Sequence, residues 1–185
     1  MIHVAGLDLG VKHDHTGFVT CAIEAGAGRV QMTECRSWKP QNYGGTVPLQ
    51  AVEDAVYDSA RKWSTAITYY DPAQCEHMAQ RLRNRGIVME EVLFVGKNLT
   101  GMASALLQVF TRRIIDLWRD EDLVRDLMRV TIVEKMYGYK LEAVSDEYGH
   151  ADRATALALL LPGALEAAGC QGWQGGETVG GIIGG

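Results

Sequence analysis

The chain has 185 residues, 47% hydrophobic and 22% charged, which suits one globular α/β domain; no apolar run reaches the roughly 18 residues of a membrane-spanning helix. Its formal net charge of -5 argues against a free-standing protein that grips DNA tightly, because such proteins are ordinarily basic. The opening MIHVAGLDLG carries neither the basic region nor the cleavage site of a secretory signal, so a cytoplasmic setting is expected.

Ile2 to Leu9 is short and apolar and predicts a buried strand. Thr16 to Glu24 predicts a second strand, the glycine-rich Ala25 to Gly28 a hairpin turn, and Arg29 to Trp38 a third strand. After the loop Lys39 to Gly45, Thr46 is placed to cap a helix over Val47 to Lys62, with Pro48 in its first turn. Thr65 to Tyr70 predicts a strand that stops at Asp71-Pro72. A helix over Ala73 to Arg85 is closed by Gly86, and Ile87 to Val95 predicts a further strand. This strand, helix, strand unit implies parallel pairing. Met102 to Trp118 reads as a long amphipathic helix and Glu121 to Met128 as a short one. Arg129 to Lys135 and Tyr139 to Val144 suit a hairpin around Tyr137-Gly138, and Ala151 to Ala168 a buried helix of small and apolar residues. A domain over 1–169 and a flexible glycine-rich tail over 170–185 are expected. Three antiparallel strands followed by parallel ones, flanked by helices, give an α/β mixed sheet whose topology resembles the ribonuclease H-like pattern.

Cys21, Cys35, Cys75 and Cys170 show no CxxC spacing, and nothing near Cys75 and His77 completes a zinc set, so reduced thiols are expected. The chemistry instead points to three aspartates at element ends. Asp8 lies inside an apolar strand, where an ionised group is costly unless it is paired or holds a cation. Asp71 ends the TAITYY strand, and Asp152 opens the last helix. The first and fourth strands of such a sheet are neighbours, so the carboxylates can converge. Converging carboxylates suit hard divalent cations, two of which can clamp a phosphodiester. Each aspartate also has a plain structural reading: an ion pair for Asp8, a turn for Asp71, a helix-dipole partner for Asp152.

The segments GLDLGVKHDHTGFV, TYYDPAQ and HADRATALALLLP resemble the three nuclease motifs of the large terminase subunits of tailed phages, and LFVGKNLTGMASALLQVF resembles the stretch between the second and third. The resemblance spans Ile2 to Ala168. It implies a metal-dependent endonuclease that cuts concatemeric duplex viral DNA during genome packaging, with Asp8, Asp71 and Asp152 as ligands of two Mg²⁺ or Mn²⁺ ions. It also implies action in the host cytoplasm beside an ATPase motor, a portal and a small terminase subunit. Two departures stand out. Many relatives have another acidic residue beside the third aspartate, whereas Ala151 and Arg153 flank Asp152 here; Asp14 is the candidate accessory acid. No GxxxxGK[ST] loop occurs, so the motor is absent from this chain, and an isolated domain of a longer protein is expected.

Lys97, Asn98, His150 and Arg153 are the candidate DNA contacts, Lys97 also reading as a solvated surface lysine and His150 as a loop residue. The arginine groups at 81, 83, 85, 112 and 113 suit solvated helix faces. Lys135, Tyr137, Tyr139 and Lys140 place the hairpin as a possible DNA-guiding ribbon or as packing. A Holliday-junction resolvase of the same fold and an inactive interaction module remain the alternatives.

Overall fold

The computed structural model describes residues 1–170 apart from 13, 25, 27, 137 and 144–150. The candidate His150, Tyr137 of the hairpin turn and the expected tail beyond Cys170 lie outside the described residues. The elements run β1 (Ile2–Asp8), β2 (Thr16–Glu24), β3 (Arg29–Trp38), α1 (Leu49–Trp63), β4 (Ile67–Tyr70), α2 (Pro72–Asn84), β5 (Met89–Glu91), α3 (Gly96–Thr111), β6 (Ile115–Asp116), α4 (Glu121–Arg129), β7 (Val130–Lys135), β8 (Gly138–Ala143) and α5 (Asp152–Ala167).

Six strands form one sheet in the order β5-β4-β1-β2-β3-β6, and β7 and β8 form a separate ribbon. β1, β2 and β3 pair antiparallel; β4 and β5 continue the sheet in parallel beyond β1. The mixed ribonuclease H-like sheet expected from the element order is the one observed. Side chains alternate across β1, as strand geometry requires. Ala5 and Leu7 enter the core with Val52 and Val56 of α1 and Met78 and Leu82 of α2. Val4 enters the opposite core with Met102 and Val109 of α3 and Leu157 and Leu160 of α5.

α5 is buried on nearly every side, with Ala154, Ala156, Leu157, Ala158, Leu159, Leu160 and Leu161 all covered. That explains its lack of amphipathic pattern. It reaches the sheet through two glycines. A Cβ on Gly6 would lie 1.9 Å from the Ala156 carbonyl oxygen, and one on Gly17 would lie 2.2 Å from the Asp152 carbonyl oxygen. Only bare backbone lets the helix settle this close.

Two segments differ from the sequence reading. The helix expected over 102–118 begins at Gly96 and ends at Thr111. Arg113 then adopts a left-handed φ of 54°, and the chain turns into β6, which pairs in parallel with β3 through Val30↔Ile115 and Gln31↔Asp116. Arg29 latches this short strand with two bonds of 2.8 Å to the Asp116 carboxylate. The strand expected over 87–95 shrinks to Met89–Glu91. In addition, α1 starts at Leu49 with Pro48, not Thr46, at its cap. Among the described residues no helix is long and apolar enough to cross a membrane, and all four cysteines are free thiols.

Candidate functional site

β1 and β4 are parallel neighbours, with Leu7 opposite Tyr70. The next residue in each case is an aspartate, Asp8 at the end of β1 and Asp71 just past β4, so the two leave the sheet side by side. Both follow the same alternation as Val4 and Tyr69, which belong to the core beneath α5. Asp8 is also paired with Gly17, the glycine on which the first residue of α5 rests. The contact that brings α5 onto the sheet thus sets Asp152 above Asp8.

The result is one cleft of about 310 Å³ lined by Asp8, Asp14, Asp71 and Asp152, with Gln74, Thr155 and the apolar Phe94, Leu99, Met102 and Leu141 completing its walls. The sequence placed three of these acids as ligands and the fourth as an accessory, and the fold brings all four to one place. Asp14 sits in the β1–β2 loop, which Thr16 closes by donating its hydroxyl to the Gly10 carbonyl at 2.7 Å. Asp71 also has a structural task that the sequence reading, a turn residue, did not assign: it caps α2 by accepting from the Ala73 N–H at 3.4 Å.

The electrostatics are those of carboxylates crowded away from water. Burial, then the charges of Asp71 and Asp14, push the Asp8 carboxyl up to about 7, and a hydrogen bond from Thr155 draws it part of the way back. Burial and the charges of Asp8, Asp126 and Asp14 push Asp152 up to about 9. One oxygen of Asp152, Oδ2, is buried with no hydrogen-bond partner among the described residues; His15 Nδ1 stands 3.9 Å from it. Burial and Lys39 lower the pKa of His15, favouring the neutral imidazole. A bare buried oxygen and an all-oxygen donor set fit a hard divalent cation. Close approach of three like charges is unfavourable, and among the described residues no three His, Cys, Asp or Glu side chains form a ready-made metal cluster.

The candidate DNA contacts are placed differently. Lys97 and Asn98, in the first turn of α3, line a neighbouring pocket with Tyr69, Glu90, Glu91 and Glu166, while Leu99 and Met102 of the same helix face the acidic cleft. Lys97 also lines a groove of about 590 Å³ with Lys135, Tyr139 and Lys140 of the β7–β8 ribbon. Arg153 is turned inward: its side chain is only 12% exposed, and its guanidinium is engaged by Asp120, Asp122 and Ser37. Arg81 and Arg85 pair with Glu53, and Arg83 with Glu76, so these arginines brace helices. Sequence reasoning missed His15, Thr155 and Asp126. Thr155 follows Asp152 by three residues, a spacing that puts both on one helix face, and was legible in principle.

No protein-family profile matches the chain, and no curated protein does. Solved structures do. The HK97 bacteriophage large terminase superposes with a TM-score of 0.71 at 14% identity over 88% of this chain and 39% of its own. The large terminase nuclease from thermophilic phage G20c, in a structure with bound magnesium, gives 0.65 at 16% identity over 88% of this chain and 80% of its own. The large terminase nuclease domain of Thermus phage P74-26 gives 0.63 at 16% identity over 85% and 77%. This chain therefore spans about two fifths of the HK97 protein and most of the two nuclease domains, whose fold it shares.

Proposed function

We propose that this chain is a divalent-metal-dependent DNA endonuclease that cuts duplex concatemeric DNA during phage genome packaging. The observation that carries the reading is the single cleft in which Asp8, Asp71 and Asp152, far apart in sequence, meet with Asp14. The shared fold with large terminase nucleases, one of them with bound magnesium, supports it.

Asp8, Asp71 and Asp152 are the groups that would hold Mg²⁺ or Mn²⁺, with Asp14 accessory. Two such ions, when bound, supply an activated water and offset charge on the leaving oxygen. The chain's own part is to aim these oxygens from rigid elements. Asp8 and Asp71 follow the Leu7–Tyr70 pair of β1 and β4, and the close seat of the Asp152 backbone on Gly17 brings in the third at the start of α5. Thr155, its hydroxyl donating to the Ala151 carbonyl at 3.0 Å, lines the cleft beside Asp8. The apolar side of the cleft, formed by Phe94, Leu99, Met102 and Leu141, limits water around the reacting phosphate. Lys97, which borders the groove shared with Lys135 and Lys140, is the residue that would meet a DNA phosphate. An ATPase motor, a portal and a small terminase subunit are the partners this reading implies, in the host cytoplasm.

The test is incubation of supercoiled plasmid with the protein and Mn²⁺ or Mg²⁺, with EDTA as control. Weak, sequence-independent nicking and linearisation are expected, and Asp8→Asn or Asp152→Asn abolishes both. Absence of metal-dependent cutting at high protein concentration would favour a non-catalytic interaction module. Preferential cutting of four-way junctions would favour a resolvase.

A further inference from the structure

α5 opens without a cap of its own. Its N-cap is Ala151, whose side chain cannot accept a hydrogen bond, and no side-chain cap is present there. The first turn of a helix carries N–H groups that need partners from elsewhere. One partner comes from a different helix: Asp126 of α4 accepts from the backbone N–H of Arg153 at 3.1 Å. Arg153 then returns its side chain to the same helix. Its guanidinium donates to Asp120, to Asp122 at 3.0 Å and to Ser37 of β3 at 2.8 Å. Asp120 in turn caps α4 by accepting from the Leu123 N–H at 2.8 Å, and Leu123 anchors α4 in the core. A planar guanidinium sharing its fork among three acceptors is held in orientation as well as position.

We propose that Asp126 and Arg153 are positioning residues: α4 braces the first turn of α5 and so sets the carboxylate of Asp152 over Asp8. The inference rests on the nuclease reading above, in which Asp152 holds a cation. It gives the residue beside the third aspartate a task different from metal ligation. The neighbour of Asp152 orients it through a brace that also spans α4 and β3. Because Thr155 lies on the same turn and also lines the cleft, a slackened brace displaces two of the groups that shape it at once.

The test is calorimetric titration of the full chain with Mn²⁺ alone, beside thermal unfolding in EDTA, for Arg153→Ala, Arg153→Lys, Asp126→Ala and Asp126→Asn. Groups that orient a metal ligand typically change affinity by about 10–100-fold when removed, and a loss of that size is expected for Arg153→Ala and Asp126→Ala. Asp126→Asn keeps an oxygen acceptor for the Arg153 N–H and is expected to restore affinity to within about threefold of the parent. Arg153→Lys, a single ammonium without the fork, falls between. If Arg153→Ala does not fold, the Asp126 pair decides. Unchanged Mn²⁺ affinity in Asp126→Ala together with a lowered melting temperature would reduce the brace to a stability device and overturn the proposal. No Mn²⁺ uptake by the parent chain would instead remove the nuclease reading beneath it.

Discussion

At the scale of single residues, burial and the charges of their neighbours favour the protonated form of Asp8 and Asp152. A carboxyl in the unfolded chain titrates near about 4, whereas folding raises Asp8 to about 7 and Asp152 to about 9. Between these values the folded protein binds more protons than the unfolded one. The stability these two groups contribute is therefore full below about 4 and is lost as pH rises through the window from about 4 to 9. In EDTA the melting temperature is expected to fall across that window, and Asp152→Asn should flatten the fall, most clearly above pH 7. Equal slopes for the two proteins in melts from pH 5 to 9 would contradict this account. The three principal aspartates were legible in the sequence because each ends a strand or opens a helix. Asp126 was not, since it acts from another helix through a backbone N–H of Arg153, a contact with no signature in residue order. Arg153, read from sequence as a DNA contact, gave no hint that Asp120 and Asp122 would draw it inward.

Among the elements, α5 matters most, because its seat on Gly6 and Gly17 converts sheet register into site geometry. Adding a methyl group at Gly17 would press a carbon to 2.2 Å from the Asp152 carbonyl oxygen. Both neighbours are backbone, so the helix must lift. Gly17→Ala is expected to cost about 1–3 kcal/mol, the usual range for overpacking, and to weaken Mn²⁺ binding, both readable by denaturant unfolding and calorimetry. A variant as stable and as metal-competent as the parent would show that the close approach is dispensable. The order of elements along the chain was legible from apolar runs and turn residues, while the arrangement of the strands in the sheet came from likeness to the ribonuclease H-like pattern. β6 was not: Leu107, Phe110, Ile114 and Leu117 keep helical spacing, yet Arg113 breaks the helix and β-branched Ile115 serves the open edge of β3 instead. β5 was overestimated because Val92 to Val95 is strand-like in composition, while only three residues find β4 as a partner.

For the molecule as a whole, a net charge of -5 and arginines largely committed to internal carboxylates leave little surface with which to hold DNA. One basic surface near the cleft is the groove lined by Lys97, Lys135 and Lys140, where Lys140 is paired with Glu142 at 2.9 Å; the pocket on the other side of Asp152 carries Lys39, Arg125 and Arg129, but Lys39 and Arg125 there face Asp122 and Arg129 faces Asp126. Each neutralised phosphate adds about -0.9 to the slope of log affinity against log salt. Binding of duplex DNA by Asp152→Asn in EDTA is expected to show a slope of magnitude no greater than about 3, measured by fluorescence anisotropy. A steeper slope would reveal a larger basic footprint than this surface offers. β6, finally, has a consequence for how copies of this molecule behave toward one another. β3 is ten residues long and lies near the margin of the sheet, where unsatisfied backbone groups invite a strand from another chain. A two-residue strand pinned by Arg29 and Asp116 covers that template at Val30 and Gln31, which takes this end of β3 out of reach of a strand from another copy.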